Sequence, residues 1–104
     1  MNNQAKHYFE AHVTIDPVVG ADRDNVEEIA HCNQFKLARL LMARGLPSTL
    51  DTFMTGHATQ LDLLTLRLRS LVASLRASGY KVRRYKIEDT VLDSRVADEL
   101  ELLT

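Results

Sequence analysis

Residues 7–15 alternate, with Phe9, Ala11, Val13 and Ile15 on one side and Tyr8, Glu10, His12 and Thr14 on the other. That period of two predicts a half-buried strand. Asp16-Pro17 and Gly20 then break the pattern. A helix is expected next, with Asp22 or Asp24 as candidate N-cap, Glu27 and Glu28 in its first turn, and Val26, Ile29 and Ala30 opening its buried stripe. Segment 35–42 has two readings. It either continues that helix to about residue 44 or forms a strand with Phe35, Leu37 and Leu41 on one side. The strand is preferred, because it supplies a partner for the following strand across the turn region 45–49.

Alternation returns over Thr52–Thr59, with Met54, Gly56 and Ala58 opposite Phe53, Thr55, His57 and Thr59. The small residues on the first side suit close approach of a helix. Thr59 and Asp62 have capping-box-like spacing. Leu61, Leu64, Leu68, Leu71, Val72 and Leu75 then recur at helical steps, and Gly79 supplies a C-terminal stop. Tyr80–Glu88 reads as a last strand, with Tyr85 and Ile87 inward and Arg84, Lys86 and Glu88 outward. Val82 breaks that parity, which points to a bulge near Arg83.

Strand, helix, two strands, helix, strand is the ferredoxin-like order. The expected fold is an α+β βαββαβ sandwich, with a four-stranded antiparallel sheet in order 4-1-3-2 and two helices on one face. The uncovered face would carry Glu10, His12, Thr14, Thr55, His57, Arg84, Lys86 and Glu88. The 104 residues suit one domain, taken as 1–95, with an acidic tail over 96–104.

Composition narrows the function classes. Hydrophobic residues make up 45% and charged residues 26%, so a packed core is expected rather than disorder. A net charge of −1 argues against bulk nucleic-acid binding. Its distribution is uneven, however. Between Leu63 and Ile87 no acid occurs, and Arg67, Arg69, Arg76, Lys81, Arg83, Arg84 and Lys86 form a basic run that could create a local positive patch. The single cysteine, Cys32, excludes an internal disulfide and fits a reducing compartment. The first residues lack the apolar stretch of a signal peptide, and no run approaches the ~20 residues of a membrane span, so a cytoplasmic location with no membrane partner is expected.

The candidate chemistry lies in two tripeptides, His12-Val13-Thr14 and His57-Ala58-Thr59. In a strand, residues two apart share a face, so each histidine sits beside its threonine. If His12 opposes Thr55 and His57 opposes Glu10, the imidazoles become diagonal neighbours able to straddle a phosphate. Imidazoles suit proton transfer near neutral pH. Threonine hydroxyls can donate to phosphate oxygens, while Arg84 and Lys86 neutralise charge. The helix start near Gln60 adds backbone donors. Metal and cofactor are not expected, because zinc wants three or four enclosing ligands and a bare sheet face offers little enclosure even with Glu10 as a third.

Paired His-x-Thr tripeptides on strands resemble the two-histidine phosphoesterase superfamily, which includes RNA cyclic phosphodiesterases and RNA 2′,5′ ligases. The resemblance implies His12 and His57 as the acid/base pair and Thr14 and Thr59 as phosphate-binding hydroxyls. Thr55, Glu10, Arg84 and Lys86 complete the candidate substrate site. The longer strings Phe-Glu-Ala-His-Val-Thr-Ile and Arg-Tyr-Lys-Ile-Glu-Asp-Thr look like a small group of uncharacterised bacterial proteins, which implies no activity.

Each signal also has a plainer explanation. Histidines occur on ordinary solvated sheet faces, Arg84 and Lys86 would protect an edge strand from aggregation, and Glu88 would balance them. Leu63 and Leu66 lie off the helical stripe and could mark a self-association surface. Two functions follow. One is a phosphate-ligand domain or metal-independent phosphoesterase, taking a phosphorylated small molecule or nucleotide and acting on a cyclic or simple phosphoester. The other is a non-catalytic interaction module that uses the same sheet face, with a homodimer through that face as one form.

Overall fold

The computed structural model describes residues 6–38 and 51–92. Its elements are β1 (Lys6–Ile15), α1 (Gly20–Cys32), β2 (Lys36–Leu37), β3 (Thr52–Ala58), α2 (Leu61–Ala77) and β4 (Val82–Leu92). The strands form one open antiparallel sheet in the order β2-β3-β1-β4, which counted from the β4 edge is 4-1-3-2. Ala11, Val13 and Ile15 of β1 are fully buried and pack with Met54 of β3 against Val26 and Ala30 of α1 and Leu64, Leu71 and Leu75 of α2. Strand alternation then turns Glu10, His12 and Thr14 to the other face.

Segment 35–42 is resolved by the end of α1. The helix stops at Cys32, and Gln34 takes a left-handed φ of 62°. Gln34 N–H donates to His31 O at 2.9 Å and Phe35 N–H to Ala30 O at 2.8 Å, closing the last turn with a Schellman-type pair of hydrogen bonds. The chain therefore reverses into β2 instead of extending the helix. The expected continuation of that strand to Met42 lies outside the described residues, as do the turn region 45–49 and the tail 96–104. The reversal also places Phe35 over β3. A Cβ built on Gly56 would meet the Phe35 ring at 3.0–3.1 Å, so the small residue admits an aromatic ring from the α1–β2 connection, where a helix was expected.

The helix starts differ from the sequence reading. Helix α1 begins at Gly20, with Val19 as an N-cap that makes no side-chain cap bond. Asp22 therefore lies inside the first turn, where Tyr80 Oη donates to its carboxylate at 3.1 Å. Helix α2 is capped by Gln60, again without a side-chain bond, so the Thr59–Asp62 spacing forms no capping box. Leu61 is 45% exposed and lies outside the core stripe; Leu63 and Leu66 are exposed as well. At its other end Gly79, with φ 88°, closes α2 through Tyr80 N–H to Leu75 O at 2.9 Å.

Strand β4 runs longer than expected, and its register with β1 shifts between Thr14 and Ile15, leaving Arg83 as the bulged residue. Arg83 Nη1 donates to Asp16 Oδ1 at 2.8 Å. That hydrogen bond and the charge of Asp16, with Asp51 adding to it, push the guanidinium pKa further up. Tyr85 has inward parity but is 51% exposed, because β4 is an edge strand and no element lies beyond its flank among the described residues. Among those residues no helix is long and apolar enough to cross a membrane.

Leu71→Ala should destabilise the fold by about 2–5 kcal/mol in chemical denaturation, since the site is sealed between helix and sheet. Gly56→Val should cost about 1–3 kcal/mol by displacing the Phe35 ring. Losses below about 0.5 kcal/mol at both positions would place the core elsewhere.

Candidate functional site

The register between β1 and β3 puts His12 opposite Thr55 and Glu10 opposite His57. On its other side β1 sets His12 opposite Lys86, Thr14 opposite Arg84 and Glu10 opposite Glu88. The open face is thus a grid of cross-strand rows: Phe53, Thr14 and Arg84; then Lys36, Thr55, His12 and Lys86; then His57, Glu10 and Glu88.

Glu10 stands at the centre of this grid. Its Oε1 lies 2.8 Å from His12 Nε2 and its Oε2 lies 2.8 Å from His57 Nε2, so one carboxylate spans both imidazoles. Only 25% of the Glu10 side chain is exposed. His12 Nε2 also lies 3.1 Å from Glu88 Oε1, and that oxygen is 3.3 Å from Lys86 Nζ. On the far side of the ring, His12 Nδ1 is 3.4 Å from Thr55 Oγ1. An acceptor-only carboxylate on Nε2 requires that nitrogen to carry its proton, which leaves Nδ1 of neutral His12 to accept from the Thr55 hydroxyl. His57 is held from two further directions: Tyr8 packs its ring 5.8 Å away, and Arg67 of α2 donates to the His57 carbonyl at 3.2 Å.

The two histidines therefore sit together as the alternation implied, but what they straddle is Glu10. An anion between the rings would meet this carboxylate, so phosphate cannot take the expected position there. The positive charge lies one row away. A cleft of about 250 Å³ is lined by His12, Thr14, Phe53, Arg84, Tyr85, Lys86 and Glu88. Arg84 makes no ion pair among the described residues.

The threonines divide. Thr14 borders this cleft but is only 4% exposed, while Thr59 lies past the end of β3 in the bend before α2. Thr59 therefore shares no strand face with His57. The basic run does not converge either: of its seven residues only Arg84 and Lys86 reach the cleft, while Arg83 turns to Asp16 and Arg67 to the β3 backbone. Lys36, Tyr8 and Phe53 join the face without having been singled out. Tyr8 and Phe53 were legible from the same alternation that placed the histidines, whereas Lys36 required the β2–β3 pairing. Cys32 is exposed, and His7 sits 3.4 Å from Asp89 near the sheet end. Among the described residues no group of three or more His, Cys, Asp or Glu side chains is arranged to hold a metal ion.

Long-range ¹H–¹⁵N spectra should show a proton on Nε2 of both His12 and His57. Glu10→Gln should shift both sets of ring signals, because an amide offers one acceptor oxygen where the carboxylate offers two. A shift at one ring alone would break the proposed bridge. Zinc should give no saturable rise in melting temperature, and a stoichiometric rise abolished by His57→Ala would overturn that expectation. No protein-family model, curated protein or solved structure matches this chain at a significant level.

Proposed function

We propose that the chain is a ferredoxin-like domain that binds a phosphate-bearing ligand on its open sheet face, where Glu10 bridges two imidazoles and His12 transfers the proton without metal. The element order, with every neighbouring strand antiparallel, supports the fold reading. The observation that carries the functional reading is the double contact of Glu10 with His12 and His57, set beside the cleft that Arg84 and Lys86 line.

A carboxylate that receives both Nε2–H groups holds the rings in one tautomer and one orientation, which is the positioning that acid–base chemistry needs. The phosphoryl group lies at the Arg84 end of the cleft beside His12, away from Glu88, with Arg84 first and then Lys86, on leaving Glu88, neutralising its charge and Thr14 at the cleft wall. This position keeps it a full row from His57. For a cyclic phosphodiester, water attacks phosphorus while His12 Nδ1, exchanging its Thr55 contact for that water, takes the proton and then passes it to the ribose oxygen that leaves as the P–O bond breaks. Glu10 steadies that ring, and His57 acts through Glu10 as a positioning residue. The likeness of the two His-x-Thr tripeptides to two-histidine phosphoesterases agrees with this chemistry, although Thr59 stands outside the arrangement.

Titration with a nucleoside 2′,3′-cyclic phosphate and with inorganic phosphate tests the reading. Amide signals of His12, Thr14, Arg84 and Lys86 should move together and saturably, while Cys32 at the end of α1 stays still. Any hydrolysis should fall by ~10²–10⁴-fold in His12→Ala and by less in His57→Ala. Binding without turnover would make the domain a ligand sensor. Silence of these residues toward both probes would reject the site and leave a protein-binding sheet face as the better reading.

A further inference from the structure

The two edges of the sheet differ. Strand β2 is two residues long, whereas β4 runs for eleven and pairs on one side with β1 from Lys6 to Ile15. Among the described residues nothing pairs with its outer side. A long edge is a template for another strand, and charge decides which strand it accepts. The charge on β4 is bipolar: Arg83, Arg84 and Lys86 precede Glu88 and Asp89. An antiparallel copy of this same segment reverses that order and sets its acids opposite these bases.

We propose that β4 pairs with β4 of a second copy of the chain, antiparallel and with the two-fold axis at Ile87, joining two four-stranded sheets into one. Side chains on the same face must oppose each other, so only residue pairs of equal parity qualify. With the axis at Ile87, Lys86 faces Glu88 of the second copy and Glu88 faces its Lys86, giving two opposite-charge pairs. An axis at Glu88 sets two glutamates directly opposite, and an axis at Tyr85 sets Arg84 against Lys86; an axis at Lys86 pairs Arg84 with Glu88 twice but opposes two lysines at its centre, which the axis at Ile87 avoids. The helix-side flank agrees. Ile87 meets its own copy there, and Tyr85, 51% exposed in the single chain, gains a neighbour.

The Glu88 contacts to His12 and Lys86 both use Oε1, which leaves Oε2 for the second copy's lysine. The bulge at Arg83 ends the regular edge on the N-terminal side, so the pairing spans residues 84–90. This inference does not depend on the phosphate reading, since it rests on the outer edge of β4 and the order of charges along it.

Sedimentation velocity on the full chain from micromolar to millimolar concentration tests it through charge reversal. Lys86→Glu and Glu88→Lys each oppose like charges twice across the axis, and each should raise the dimer dissociation constant about tenfold or more. The double swap restores both opposite-charge pairs and should return the constant to within about threefold of the wild type. A chain that stays monomeric at millimolar concentration overturns the proposal. So does a dimer indifferent to the single reversals, or one that the double swap fails to rescue. If circular dichroism shows that a variant has lost its fold, hydrogen exchange of the wild type decides: protection over 84–90 that rises with concentration supports the pairing, and its absence overturns it.

Discussion

The central strand cannot slip. Ala11, Val13 and Ile15 are fully buried beneath the helices, and a shift of β1 by one residue would exchange them for Glu10, His12 and Thr14. Burying a carboxylate and an imidazole in an apolar layer without partners costs several kcal/mol, roughly the stability margin of a small domain. Because β1 pairs with both β3 and β4, this single register sets every row of the open face. The meeting of His12 with Thr55, Glu10 with His57 and Glu10 with Glu88 is thus a consequence of how the core is filled.

Within that grid the electrostatics are arranged around opposed carboxylates. Glu10 and Glu88 face each other across β1 and β4, an unfavourable pairing for like charges. His12 Nε2 lies between them, 2.8 Å from one and 3.1 Å from the other, and Lys86 adds a cation beside Glu88. These contacts compensate the repulsion and give the imidazole a defined direction. They also explain why a phosphate cannot lie between the histidines, and they leave Arg84, which makes no ion pair among the described residues, on the other side of His12 from Glu10.

Local backbone devices control what surrounds this face. The left-handed Gln34 turns the chain from α1 into β2 and sets Phe35 over Gly56, while the bulge at Arg83 ends the regular β1–β4 ladder beside Asp16. One device packs the sheet from the helix side. The other limits how much of the β4 edge is available to a second strand.

The alternation over 7–15 and 52–58, the leucine stripe of α2 and the stop at Gly79 were legible in the sequence, because each follows from a period or a conformational preference that a few neighbouring residues carry. That His12 and His57 share a face with Glu10 and Thr55 was legible for the same reason. Which residues approach across strands was settled only by tertiary structure, since a cross-strand distance depends on a register set by distant core residues. Hence the carboxylate between the imidazoles, the arrival of Lys36, the dispersal of the basic run and the burial of Thr14 could not be read from spacing. The cap was misplaced because α1 starts at Gly20, two residues before Asp22, and the Asp22 carboxylate accepts instead from Tyr80, 58 residues away. Periodicity determined which way each side chain points, and packing determined what it meets there, because facing depends on neighbours in the chain and contact on neighbours in space.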